Sequence, residues 1–207
     1  MAGSNLKVLR YTDQACEPYW EAFDTWLRSL RRDLDGDEDG TANPWSTRMW
    51  VYHNNFDLSS NYEGPWGTRL LIDIDSQPHT LLGTVTLSSD DRGRRKQFNI
   101  AGVGCWGGFI IDRTQRGKGY GTYLCGYIDK EIQDSVNSSG KPETWSIFAM
   151  ETCAGVAIKN SPSIKVATHL GFQFNRTIEE SSDTLAVYLK DYTRCPTANP
   201  NLLIQKK

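Results

Sequence analysis

The chain has little of what would mark a metal site, a membrane span or a disulfide framework. It holds three histidines, at 53, 79 and 169, whose scatter offers no ligand spacing, so no metal is expected. Its five cysteines (16, 105, 125, 153 and 195) are odd in number and include no C-x-x-C pair. That is the pattern of reduced thiols in a cytosolic protein. No apolar run approaches the ~20 residues a membrane helix needs. Met1-Ala2-Gly3-Ser4 lacks the basic and apolar stretches of a secretory leader. A cytoplasmic location without a membrane partner is the expectation. Neither charge dominates, with 23 basic against 25 acidic residues and a net charge of −2, which argues against nucleic acid as the main partner. No internal repeat is visible.

What is present is the composition of a globular domain, 38% apolar and 23% charged over 207 residues. One domain over residues 1–195 is expected. A mobile tail over 196–207 would follow, with prolines at 196 and 200 and two terminal lysines.

The stretch from Phe109 to Ile132 organises the chain. Phe109-Ile110-Ile111 ends a short apolar run of the kind a buried strand uses, here Val103 to Asp112. Arg116-Gly117-Lys118-Gly119-Tyr120-Gly121-Thr122 is a glycine loop with two cations. Tyr120, Tyr123, Leu124, Tyr127, Ile128 and Ile132 then recur at helical spacing, predicting a helix that ends near Asn137. A strand feeding a glycine loop that opens a helix suits an anion, because the first helical N–H groups lack partners and carry partial positive charge. A tight turn that binds nothing is the plain alternative. Gly117-Lys118 is followed by Gly119, so the Walker A pattern fails. Gly102-x-Gly104-x-x-Gly107 matches a dinucleotide fingerprint by letter but runs into strand-like sequence, so it is read as chance, and Gly107-Gly108 as a bulge or a close backbone approach.

Elsewhere the pattern reads in order. Leu6 to Tyr11 is a first edge strand, and Asp13 stands where it can cap an amphipathic helix over 15–33 carrying Trp20, Phe23, Trp26, Leu27 and Leu30. The acidic run 33–40 is a solvated loop; an EF-hand is excluded because its sixth position is Glu38. Residues 44–53 predict a short helix within an aromatic-rich stretch that is either core or pocket wall. Strands follow at 69–75 and 80–87. A polar loop over 89–96 has a basic half expected in solvent, or beside an adenine-side phosphate. Glu143 to Met150 is a strand, Ser161 to Leu170 a helix, and Phe172–Thr177 and Leu185–Leu189 a closing strand pair.

Arg116-x-x-Gly119-x-Gly121 is similar to the Q/R-x-x-G-x-G/A signature of the GNAT superfamily of acyl-CoA-dependent N-acyltransferases. Asn160-Ser161-Pro162-Ser163, the helix after it and Leu170-Gly171-Phe172 resemble the later N-x-x-S/A segment, helix and L-G-F turn of that family. The resemblance covers about residues 80–190. It implies a mixed α/β fold of order β-α-α-β-β-β-α-β-α-β-β with a splayed strand pair. It also implies acetyl-CoA as acyl-donor co-substrate, with its pantetheine arm pairing to the backbone of Phe109, Ile110 and Ile111. Arg116, Gly117, Lys118, Gly119, Tyr120, Gly121 and Thr122 would hold the pyrophosphate, and Asn160 and Ser163 would face the sulfur. Both of the latter also suit a helix start by capping alone.

The implied reaction is acetyl transfer to a primary amine by a monomer or homodimer. Family members carry a Glu where this chain has Cys105 and a Tyr where it has Ala167. Ser163 then stands nearest to the acid, and Glu151, just past the second strand, is the candidate base or water-holder, with an ordinary loop charge as its alternative. Asp112 would cap or turn the loop. Residues 20–66 hold five of the seven Trp, with Trp50 and Trp66 as expected walls of an acceptor pocket. Aromatic walls with acidic neighbours favour a small cationic amine over a protein terminus. An acyl-CoA-binding or interaction module without turnover is the alternative, and O-acyl transfer a lesser variant.

Overall fold

The computed structural model describes residues 5–23, 25–26, 67–88, 94–153, 156–157, 161–180 and 183–194; the side chains of 150–153, 156–157 and 161–163 lie outside that description. Eight strands form one sheet: β1 Leu6–Arg10, β2 Gly67–Asp73, β3 Thr80–Ser88, β4 Gly104–Ile111, β5 Glu143–Cys153, β6 Val156–Ala157, β7 Gln173–Glu180 and β8 Asp183–Tyr192. The order is β1-β2-β3-β4-β5-β8-β7, with β6 added to the end of β5. Among the described residues only β4 and β5 run parallel, and every other pairing is antiparallel. Helical backbone is described at residues 20–23 and 25–26 and in three α-helices: α1 Arg94–Gln97, α2 Tyr120–Ser139 and α3 Ser161–His169. This is the mixed α/β architecture expected from the motifs.

Strand alternation sends side chains to two faces. On one face, α2 lays Leu124, Ile128, Ile132 and Val136 against Val85, Trp106 and Trp145. Each of the four helix residues is fully buried, and burial of such a side chain is worth about 1.5–3 kcal/mol. The helix ends where Gly140 takes a left-handed conformation and its N–H returns to the Val136 carbonyl at 2.8 Å. On the other face, Leu70 and Ile72 pack with Leu9, Cys16 and Phe23, and Leu185 and Val187 pack with Ile100.

Four readings need correction. Residues 14–19 form a 3-10 turn containing Pro18, and helical backbone begins only at residue 20, because proline brings no N–H to an α ladder. Asp13 occupies the N-cap position, yet it is its backbone carbonyl that accepts Cys16 N–H, at 2.8 Å, and its side chain makes no cap bond. β5 runs three residues past Met150 into a hairpin with β6, so Glu151 lies within the strand. Arg94 is not solvated: it is 8% exposed, and its Nε and Nη2 donate to Glu180 Oε2 at 2.8 and 2.5 Å. A neighbouring tie has Arg176 donating to the Phe98 carbonyl. The predicted helix over 44–53, the acidic run 33–40 and the tail after 195 lie outside the described residues.

Candidate active site

The site is built by two strands that part. β4 and β5 pair only at Gly104–Trp145, Cys105–Ser146 and Trp106–Ile147. Beyond these three pairs β4 continues to Ile111 against β3 alone, while β5 stays paired to β8 and, at Thr152 and Cys153, takes β6 on its other edge. The parting coincides with a bulge. Thr84 faces Ile110 and Thr86 faces Gly107, so Gly108 and Phe109 oppose the single residue Val85. The extra residue increases local twist and carries β4 away from β5. Phe109 and Ile111 pack toward α2, and Ile110 toward the opposite cluster. Phe109, Ile110 and Ile111 thus share the stretch of β4 that no described strand covers on its β5 side. Gly107-Gly108 meets the bulge expectation.

The glycine loop comes to the same place. Gly117 and Gly119 have φ of 79° and 84°, and Gly119 is the N-cap of α2. A left-handed N-cap lets the chain reverse from β4 into a helix lying back across it. Gly121 makes a close approach of another kind. A Cβ there would stand 3.1 Å from Phe109 Cζ and 3.6 Å from Ile111 Cγ1, so the first turn of α2 rests directly on the split strand. The first helical bond described at this end is Tyr123 N–H to Gly119 O, at 3.0 Å. The N–H groups ahead of it have no acceptor within the helix, and they sit beside the open stretch of β4.

The two loop cations are held in place. Arg116 Nε donates to the Ile111 carbonyl at 3.1 Å, and Lys118 Nζ to Gln115 Oε1 at 2.8 Å, both at the surface. Asp112 caps the 3-10 turn Arg113–Gln115, its Oδ1 accepting from Thr114 N–H at 2.9 Å and Thr114 Oγ1 at 2.5 Å. Its Oδ2 accepts Trp26 Nε1 at 2.8 Å. Partial burial pushes the Asp112 carboxyl up, but the bonds from Thr114 and Trp26, together with the Arg116 charge, outweigh it and hold the group below the usual carboxylate range. Capping by Asp112 was legible in the sequence; its bond to Trp26 was not.

The remaining candidates divide. Cys105 is fully buried, with its thiol 3.2 Å from Ser88 Oγ, and Ala167 is 1% exposed, so neither presents a group to an open cleft. Ser88, Cys105 and Ser146 occupy one lateral row across β3, β4 and β5, all buried, on the face away from α2. Sequence reading missed this polar row, which depends on the register that sets Ser88 beside Cys105 and Cys105 beside Ser146. Ser163 is the third residue of α3 and Glu151 lies near the end of β5, but both side chains fall outside the described residues. Asn160, Trp50 and Trp66 also fall outside them. Trp26 lines an open cleft with Pro18, Glu21, Ala22 and Thr25. Among the described residues no three His, Cys, Asp or Glu side chains are grouped to hold a metal ion, and no helix is long and apolar enough to cross a membrane.

No protein-family model and no curated protein matches the chain. Solved structures do. A Bordetella pertussis protein assigned to the GnaT acetyltransferase family superposes with a TM-score of 0.59 at 14% identity, covering 84% of this chain and 92% of its own. A GNAT-family acetyltransferase from Bacillus cereus gives 0.54 at 14%, covering 91% and 99%. The ribosomal-protein-S18-alanine N-acetyltransferase of Escherichia coli gives 0.51 at 11%, covering 93% and 97%. The chain has the fold of the GNAT acetyltransferases.

Proposed function

We propose that this chain is an acyl-CoA-dependent N-acetyltransferase, a single catalytic domain over residues 1–195 acting in the cytoplasm on a primary amine. The observation that carries the reading is the coincidence of two features, each without use alone. A strand edge freed by the parting of β4 from β5 adjoins a glycine-loop helix start with two tethered cations. The freed edge suits an extended, amide-bearing pantetheine arm taken up as an added strand. The helix start suits the pyrophosphate through the N–H groups of Gly117, Gly119, Tyr120, Gly121 and Thr122, with Arg116 and Lys118 adding charge. The shared fold supports the same reading.

The chemistry follows from these parts. The amine must be neutral to attack, so a proton leaves it first, directly or through water, with Glu151 as candidate acceptor. Nitrogen attacks the thioester carbonyl, and a backbone N–H of the freed β4 edge stabilises the oxyanion that forms. The carbon–sulfur bond then breaks, the attacking nitrogen gives up its second proton, and that proton passes through the Ser163 hydroxyl or water to the leaving thiolate. Asn160 holds the sulfur end of the arm. The acceptor enters from the side of the N-terminal helix, where Trp50 and Trp66 are proposed walls. Trp26 and Glu21, sharing one cleft, supply the pairing of ring and acid that a small cationic amine with an apolar body favours.

A second reading has its own observation. Buried Cys105 and Ala167 stand where relatives by resemblance carry a catalytic carboxylate and phenol, which fits an acyl-CoA-binding module without turnover. Release of free CoA thiol from acetyl-CoA, measured over a panel of small amines and peptide N-termini, separates the two. Amine-dependent release supports the enzyme. Tight CoA binding by calorimetry without release from any acceptor supports the module.

A further inference from the structure

We infer that Trp26 is a positioning residue for the CoA phosphate loop, acting through Asp112. The inference rests on the acyl-CoA reading above and adds to it a residue 86 positions from the carboxylate it contacts, on the acceptor side of the molecule. The connection is continuous. Trp26 Nε1 donates to Asp112 Oδ2 at 2.8 Å. Thr114 Oγ1 donates to Asp112 Oδ1 at 2.5 Å and accepts from Gln115 Nε2 at 3.2 Å. Gln115 Oε1 accepts Lys118 Nζ at 2.8 Å. Every donor and acceptor along this path has the polarity its neighbour requires. It runs from the helical segment after residue 20 to a cation of the glycine loop.

The physical logic lies in the carboxylate. Asp112 must present Oδ1 to both Thr114 donors to close the 3-10 turn that leads from β4 into Arg116 and Gly117. One oxygen alone leaves the carboxylate free to rotate. A donor on the second oxygen fixes the plane, and a bond to an ionised acceptor is among the stronger hydrogen bonds. Trp26 supplies that donor from a ring held at 6.2 Å from Phe23, itself 1% exposed, so the indole has little freedom of its own. The same ring lines the cleft with Pro18, Glu21, Ala22 and Thr25. An occupant there would press on a residue that sets the geometry of the loop.

The test uses Trp26→Phe, which keeps a ring and removes only the donor, with Asp112→Asn and the double variant. In calorimetry with CoA, Trp26→Phe should raise Kd by about three- to tenfold, the range one lost hydrogen bond supports. The stoichiometry should not change, whereas a partly unfolded preparation would lower the stoichiometry and leave Kd alone. In the Asp112→Asn background Trp26→Phe should add nothing. Amide exchange in the unliganded protein should speed up at Thr114 through Lys118 in both single variants. Unchanged exchange in Trp26→Phe overturns the tether, and faster exchange with unchanged Kd overturns its role in binding. Wild type that binds no CoA sinks the acyl-CoA reading instead; amide exchange then still decides whether Trp26 positions the loop.

Discussion

Gly119 offers a test in which stability and affinity move in opposite directions. Its φ of 84° and ψ of 0° at the N-cap of α2 belong to the left-handed region. A side chain there costs an L-residue about 1–2 kcal/mol. Gly119→Ala and Gly119→Glu share that strain, and each should melt about 2–4 °C lower per kcal/mol in a domain of this size. The glutamate then differs in two ways. Without ligand it sits at the positive end of the helix dipole, which returns about 0.3–1 kcal/mol, so Gly119→Glu should melt no lower than Gly119→Ala. With CoA it faces the pyrophosphate. One unit-charge pair at about 4 Å costs about 1 kcal/mol even at the dielectric of water, and a diphosphate carries two such charges. CoA affinity should therefore fall at least about tenfold below that of the alanine variant, or 1.4 kcal/mol. Raising the salt should narrow the gap as screening shortens the reach of the charge. Calorimetry and thermal melting on the same preparations read both quantities. Equal CoA affinity for the two variants would refute the placement of the phosphate at this helix start.

Other outcomes follow from named contacts. Trp50→Ala and Trp66→Ala should each raise the acceptor KM several-fold while leaving the acetyl-CoA KM in place; unchanged acceptor KM in folded variants would make these rings core. Turnover should survive chelator, and a loss restored by zinc would count against the mechanism. Glu131→Gln should lower urea stability by about 3 kcal/mol, because Arg69 is 1% exposed and donates to Glu131 at 3.1 Å from both Nε and Nη2. Burial and the nearby Asp13 push the Cys16 thiol up to about 12 from 9.0. The folded state thus holds this proton more tightly than the unfolded one, and its contribution is complete below pH 9 and lost as pH climbs toward 12. Urea midpoints measured from pH 8 to 11 should fall, and Cys16→Ala should flatten that fall.

Much of this architecture is local, and local features were readable. The helical spacing of Leu124, Ile128 and Ile132 set α2 because a 3.6-residue repeat needs only its own neighbours. Gly119 and Gly140 bound that helix because both positions need a positive φ, a property of single residues. Gly107-Gly108 marked the bulge for the same kind of reason. The strand ends were less legible: β5 runs on to Cys153 because β6 and β8 pair with its end, and nothing in Glu151-Thr152-Cys153 alone announces those partners.

The charged and polar contacts show where reading along the chain stops. Arg94 stands in a run of basic residues that reads as solvated, and the approach of Glu180 on β7, 86 residues away, gives its buried guanidinium a charged partner. Arg69 looks like the polar start of a strand, and it is α2 that brings Glu131 over it. Asp112 announced a cap through Thr114 two residues on, while its second oxygen waited on Trp26 from another element. The parting of β4 from β5, on which the proposed site depends, is likewise a matter of which strand stops pairing with which. Periodicity, caps and glycine conformations are decided within a few residues of sequence. Charge burial and strand separation are decided by which distant segments the packed sheet brings within hydrogen-bonding distance.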